Sequence, residues 1–449
     1  MYERKFDAAD TKEIRLYAMG GDDKFVTHGE GGRIRIRMIG GSGNDVFESN
    51  ASSPAGKNLA YDLTTEQNQV SGNNNIRSKF SADPGVNKYE RLYYAYDQNI
   101  PFVSVNYNPD DGLFLGVSLK LIRHGFRKKP FKTVHQFAVN HALATKAYNF
   151  KWNAQFIDAL GKKTDLVFDA DIKAPHATSN FFGYGNGSVY DKTQTGKFRF
   201  YRARFRAGDI SLAARKNFGT SSSISIGPAF QFFALDDDDN AGRFITNTGS
   251  NGLDPATLFS KQSFAGGILS VAIDNRNNKA LPSRGVNWQT SVRALKGLTD
   301  ASKSVTQLRS DMSLFISFSQ RAGFVLATRF GGGHNFGNFE FFQAQYLGGT
   351  DNLRGYRKYR FAGHSMAYNN TEIRVKLGEF RTYLFPGSIG MLLFHDIGRV
   401  WAKNDPVNKW KSGYGGGIWL APLKKFVITA SYTASKEDKL PLISLGWQF

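Results

Sequence analysis

Apolar and polar residues alternate along most of the chain beyond about residue 100. Val103 and Val105 stand on one face of the stretch Phe102 to Tyr107, with Ser104 and Asn106 on the other. After the turn Asn108-Pro109-Asp110-Asp111-Gly112, the residues Leu113, Leu115, Val117, Leu119 and Leu121 alternate with Gly116, Ser118 and Lys120. A period of two marks a strand with one apolar face. The pattern returns at Thr133 to Ala144, Tyr148 to Ala159, Thr164 to Lys173, Lys197 to Asn217, Ser223 to Ala234, Ser263 to Asp274, Gly285 to Leu295, Val305 to Phe318 and Ala322 to Phe330. It resumes at Ala367 to Leu377, Ile389 to Trp401, Tyr414 to Ala421, Phe426 to Thr433 and Leu442 to Phe449, predicting about sixteen strands with no clear helix between them.

A soluble sandwich also alternates, but so long an unbroken series fits an antiparallel transmembrane β-barrel, apolar outside and polar or small inside. An even strand number returns both ends to one side of the membrane. With the first strand rising from the periplasm, the two longest connections, Leu235 to Gln262 and Gly331 to Met366, fall on the outer side. No run of about 18 apolar residues occurs, which excludes a transmembrane helix but not spanning strands of about 9 to 11 residues. Aromatic residues make up 14% of the 449 residues and glycines number 47. Cysteine is absent, which leaves the redox compartment undetermined.

A net charge of +20 raises nucleic acid as a partner. The basic residues instead alternate along strand-like segments, as Arg202, Arg204 and Arg206 do toward the lumen or its outer mouth, or sit in turns, and no nucleic-acid partner is expected. The run Asp236 to Asp239 reads as a solvated outer-loop segment. The start, Met1 to Asp7, lacks the apolar core of a signal peptide, so the chain is expected to be the mature or C-terminal part of a longer precursor.

Before the barrel, Ile14 to Phe25 and Ile34 to Phe47 repeat one format twenty positions apart, a short alternating strand followed by a Gly-Asp turn. Stacked strand-and-turn coils have this format. Gly40 to Glu48 resembles the nonapeptide of RTX-type rolls, which implies calcium held by the Asp45 carboxylate and turn carbonyls. A purely structural turn is the alternative. The expected domains are a roll-like segment over 1–50, a linker or periplasmic lead-in over 51–98 and the barrel over 99–449.

One stretch is neither strand nor ordinary loop. Leu347 to Arg357, running on to Phe361-Ala362-Gly363, is rich in Gly, Arg and Tyr, and Gly348, Gly349 and Gly355 permit backbone angles that other residues avoid. Arg354, between Leu353 and Gly355 and followed by Tyr356, presents a planar fork suited to carboxylates. Two acids behind it are candidates: alternation turns Glu372 inward from Ile373, Val375 and Leu377, and Asp396 inward from Ile389, Met391, Leu393 and Ile397.

These segments resemble those of the BamA/TamA outer-membrane assembly-factor superfamily, the bacterial surface antigen family. The resemblance rests on the Arg354-Gly355-Tyr356 loop, on Asn370-x-Glu372-x-Arg374, and on Phe394-x-Asp396-x-Gly398-x-Val400-Trp401. It extends to the turn segments Asp274 to Asn278 and Pro282 to Gly285, and to Asn180 to Asn186. It implies that the loop 347–363 folds back into the lumen and that Arg354 pairs with Glu372 or Asp396; the alternative is that each acid pairs with barrel neighbours such as Arg374.

The resemblance further implies a barrel of the bacterial outer membrane, N-terminus in the periplasm, that inserts or translocates proteins. Its partners would be outer-membrane lipids and lipopolysaccharide, a client outer-membrane or exported protein, and accessory lipoproteins. The seam would lie between the first strand, with Val103 and Val105, and the last, whose Ile443, Leu445, Trp447 and Phe449 share one face. Two alternatives stay open: a membrane anchor for an upstream phosphoesterase-like domain, and a passive pore. No enzyme is expected, because His135, His141, His364 and His395 form no metal spacing and no nucleophile elbow or phosphate loop occurs.

Overall fold

The structure is a computed structural model that describes residues 3–29, 32–51, 58–72, 75–91, 94–108, 112–195, 197–319 and 322–449. The expected turn tip at Pro109 to Asp111 lies outside them. The chain divides into two units, Met1–Ala95 and Tyr96–Phe449.

The first unit is a parallel roll. Its strands are β1 (Glu13–Tyr17), β2 (Lys24–Gly29), β3 (Arg35–Ile39), β4 (Val46–Ala51), β5 (Asn58–Tyr61), β6 (Gln69–Ser71) and β7 (Ile76–Ser78). They alternate between two sheets, β1-β3-β5-β7 and β2-β4-β6, each parallel throughout. Met38, Ala60 and Ile76 from one sheet and Phe47 from the other form the buried core, on which Phe25, Ile36 and Phe80 pack. The stretch expected as a linker after residue 50 therefore carries three further strands. They are only three or four residues long, too short for alternation to show, and their order comes from backbone pairing to the coil before.

The second unit is built on one antiparallel sheet of sixteen strands in sequence order. Its first half is β8 (Gln98–Asn108), β9 (Gly112–Gly125), β10 (Lys128–Ala142), β11 (Ala147–Phe156), β12 (Thr164–Asn180), β13 (Arg202–Phe218), β14 (Ser222–Ala234) and β15 (Gln262–Asp274). Next come β16 (Gly285–Gly297), β17 (Val305–Ile316) and β18 (Phe324–Gly337), then a loop that carries the short hairpin β19 (Gln345–Leu347) and β20 (Phe361–Gly363). The sheet resumes with β21 (Ser365–Arg381), paired to β18, and ends with β22 (Pro386–Trp401), β23 (Lys411–Pro422), β24 (Ile428–Ser435) and β25 (Lys439–Leu445). Each of the sixteen expected strands has its counterpart in this sheet.

Most strands exceed the length a tilted spanning strand needs, and their two faces differ as lipid outside and a filled interior demand. On β22, Ile389, Met391 and Leu393 are exposed while Leu392, Phe394 and Asp396 are buried. No helix of the described residues is long and apolar enough to cross a membrane. The loops before β13, β15 and β21 lie on one side, with the loop of β19 and β20 among them, and the opposite side has shorter connections. β8 and β25 are the two edges of the sheet; among the described residues no ladder joins them.

The chain's end departs from the alternation. β25 stops at Leu445, and Gly446 takes φ +105°, a left-handed conformation natural to glycine. Ile443 and Leu445 face outward, but Trp447 and Phe449 do not continue that face. Trp447 packs inward against the cluster of Leu392, Phe394 and Trp419, and its indole N–H donates to the Ala280 carbonyl at 3.1 Å. The Arg374 guanidinium lies 4.0 Å from the Trp447 ring and 5.4 Å from that of Phe449. An interior cation draws in the aromatic rings that a lipid-facing strand would have displayed.

Candidate functional site

The loop between β18 and β21 has hydrogen-bond partners along its whole length. Before β19, the Gln343 carbonyl accepts from Asn335 at 2.9 Å and from Gln307 at 2.7 Å, and its side-chain amide donates to Gln231 of β14 at 3.0 Å. Asn352 ties the tip together, accepting from the Gly348 N–H at 2.9 Å and donating to the Tyr346 carbonyl at 2.8 Å. Its own carbonyl accepts from Asn370 of β21 at 2.8 Å.

Arg354 then meets both inward acids. Its Nε and backbone N–H donate to Asp396 Oδ2 at 2.7 and 2.9 Å, and its Nη2 donates to Oδ1 at 2.7 Å. Nη1 donates to Glu372 Oε1 at 2.7 Å, while Glu372 Oε2 accepts from Arg374 Nε at 2.8 Å. The result is an unbroken chain, Arg374, Glu372, Arg354, Asp396, with opposite charges in contact at every link. The Arg354 guanidinium also lies 3.5 Å from the centre of the Phe394 ring. All four ionic side chains are nearly inaccessible to solvent. Buried charges persist only when paired and hydrogen-bonded, and here each carboxylate accepts from a guanidinium on both oxygens.

The residues flanking Arg354 explain its reach. Leu353 and Tyr356 are buried with Leu347, Phe361, Met366, Tyr368 and Val400. Gly355 has φ +90°, and a Cβ there would come within 3.0 Å of Ala434 and Ser435 of β24, so the loop backbone lies directly on the wall. Gly413 of β23 leaves room in the same way for the Arg354 carbonyl. Glycine at these two contacts lets a loop main chain press against a strand.

Sequence reasoning missed a second arginine. Arg360 is 2% exposed and forms a two-pronged ion pair with Glu437 in the turn before β25, at 2.6 and 2.9 Å. Its other donors reach Ser188 Oγ and the Ser188 carbonyl at 2.8 and 2.7 Å. Asn186 in that neighbouring loop donates to the Val400 carbonyl at 2.7 Å. The only sequence signal was the Arg-rich composition of 354–360, and nothing marked Glu437 as its partner. Of the three alternating arginines Arg202, Arg204 and Arg206 at the start of β13, Arg206 pairs with Asp236 at 2.8 Å, so the Asp run at 236–239 is partly engaged, and Asp239 lies 3.4 Å from His176.

Beside the loop lies a cavity of about 950 Å³, bordered by strands from β9 round to β18 and by β21. Asn140, Tyr148, Asn149 and Asp171 line it on the wall, with Asp351, Asn352, Lys358 and Tyr359 on the loop. Charges of both signs are present, and no group of three metal-ligating side chains occurs among the described residues.

In the roll, Asp45 sits in the turn before β4, where its Oδ1 accepts from the Asp23 N–H at 2.8 Å and its own N–H donates to Asn68 at 2.7 Å. Neighbouring coils are thus stitched through turn side chains.

A sequence profile of the Omp85 superfamily domain matches residues 131–449. Among solved structures, BamA from Haemophilus ducreyi lacking POTRA domains 1-3 superposes with a TM-score of 0.53 at 12% identity, covering 78% of this chain and 69% of that one. CdiB from Acinetobacter baumannii gives 0.46 at 14% identity, with 78% and 59% covered, and CdiB from Escherichia coli 0.49 at 11%, with 77% and 61% covered. The chain therefore spans about three fifths of either CdiB chain. No curated protein sequence matches it. The sixteen-stranded antiparallel sheet and the profile over residues 131–449 agree, and the chain belongs to the Omp85 superfamily, a family of bacterial outer-membrane β-barrels.

Proposed function

We propose that this barrel inserts outer-membrane proteins or translocates exported ones through a seam between β8 and β25, its N-terminus in the periplasm. One observation carries the reading: these two strands are the edges of the sheet. β25 is seven residues long, contains Pro441 and is abandoned by the chain at Gly446. Proline removes a ladder donor, and a short strand makes few bonds. An edge of this kind offers unpaired backbone groups to a client strand. The outward residues Val103, Val105, Ile443 and Leu445 keep it apolar toward lipid. The Arg354 loop serves as a brace, binding the wall next to the seam while the seam itself parts.

The test is a disulfide across the seam, from Ser104→Cys and Ser444→Cys or neighbouring positions, in a chain that has no cysteine of its own. Locking is expected to abolish client assembly, and the reduced form is expected to crosslink to client strands. If the locked barrel supports assembly as well as the open one, the insertion reading fails and the barrel is an anchor.

A further inference from the structure

The roll contains two fully buried carboxylates that face one another. Asp45 and Asp62 are each 0% exposed. One oxygen of each is satisfied: Asp45 Oδ1 accepts from the Asp23 N–H, and Asp62 Oδ1 accepts from the Leu63 N–H and the Asn87 amide, each at 2.8 Å. The second oxygens, Asp45 Oδ2 and Asp62 Oδ2, receive no donor. Both lie where a side chain at Gly40 would begin, so they converge on one point. No ion pair among the described residues includes Asp45 or Asp62, although Glu13 and Glu48 in the same unit have basic partners.

Two ionised carboxylates cannot share a water-free site without a counter-charge. We propose that Asp45 and Asp62 bind one hard divalent cation of the calcium class between their unpaired Oδ2 atoms, with backbone carbonyls and water completing its oxygen shell. A calcium ion takes oxygens at about 2.3 to 2.6 Å, and the convergence of two carboxylate oxygens over a residue with no side chain matches that demand.

This is a different set from the one the nonapeptide resemblance implies. There the Asp45 carboxylate acts with turn carbonyls and no second acid. Here the second acid stands at the end of β5 in the next coil, at the register position of Gly40, since Ile39 pairs with Tyr61. The cation would clamp successive coils together. In its absence, burial and the neighbouring Asp45 push the Asp62 carboxyl up to about 7, so a shared proton is the competing occupant.

The experiment is a calorimetric titration of calcium into the full-length chain in detergent after chelation, repeated on Asp62→Asn and on Asp236→Asn. One saturable site is expected in the native chain and in Asp236→Asn. Asp62→Asn should bind roughly tenfold more weakly or worse, since loss of even a supporting group costs that much in metal sites. Asp62→Asn keeps the side chain's shape, and its fold is checked by the melting of the calcium-free protein; Gly40→Ser, which fills the site, gives a second route to the same loss. Absence of saturable binding, or equal binding by Asp62→Asn and Gly40→Ser, overturns the site. So does a rise in melting temperature for Asp62→Asn with no calcium response in the native chain, which identifies the proton as the occupant.

Discussion

The Arg374 guanidinium stands 4.0 Å from the ring of Trp447, linking the middle of β21 to the last residues of the chain. Because Arg374 also donates to Glu372, the end of the chain belongs to the same charged network as the loop. Replacing Trp447 by Ala removes this contact, the ring packing on Trp419 at 5.5 Å and the bond to Ala280. A loss of about 3 kcal/mol is expected, as for other large aromatic deletions. It is read as a lower temperature for loss of the compact barrel form in gel electrophoresis. An unchanged transition would mean that the inward turn of the terminus contributes nothing to the barrel.

Arg354→Ala leaves Asp396 and one side of Glu372 buried without their cation. Breaking one partner of a buried pair costs about 3 to 5 kcal/mol, so the loop should leave the wall. Trypsin reports this directly, because Arg354, Arg357, Lys358 and Arg360 supply cleavage sites within the loop. Arg354→Ala should expose the three remaining sites and Asp396→Asn all four in intact membranes, whereas the native loop resists. Arg354→Lys should fall between, since a lysine keeps the charge but loses the two-pronged geometry.

Gly413→Val tests the same docking without touching a charge. Its side chain would occupy the place of the Arg354 carbonyl. The expected result is the tryptic pattern of Asp396→Asn, with Glu372 and Asp396 intact. Protection equal to native would show that the loop does not need this close approach.

Arg360 and Glu437 are expected to couple. Arg360→Ala and Glu437→Ala should each loosen the loop, and the double variant should cost less than their sum by about 0.5 to 3 kcal/mol, the range for directly bonded neighbours. Strict additivity in a double-mutant cycle would remove the pair as a tie between the loop and the turn before β25.

The strands were legible because lipid outside and a packed interior impose a period of two, visible in Leu113 to Leu121 and again in Ile389 to Ile397. Glu372 and Asp396 could be turned inward by the same count. The fate of Trp447 could not: it keeps the period, and only the left-handed turn at Gly446 and the attraction of Arg374 take it off the outer face. Arg360 and Glu437 lie 77 positions apart in a loop and a turn, where no periodicity exists to relate them. Asp62 was hidden for a related reason. Its partner Asp45 belongs to another coil, and the strands between them, β4 and β5, are only six and four residues long, too short for a rhythm to relate the two acids.

The way the loop is seated makes the wall unequal in stiffness around its circumference. Arg354, Tyr356 and Arg360 fasten it to β21, β22, β23 and the turn after β24, so those strands and the loop form one thick panel. Phe114 of β9, Asn140 of β10 and Tyr148 of β11 instead border the cavity. A wall that faces a cavity bends more easily than one backed by a packed loop. If the two edges part as proposed, the swing is carried by β8 and its neighbours, with β25 as the fixed jamb.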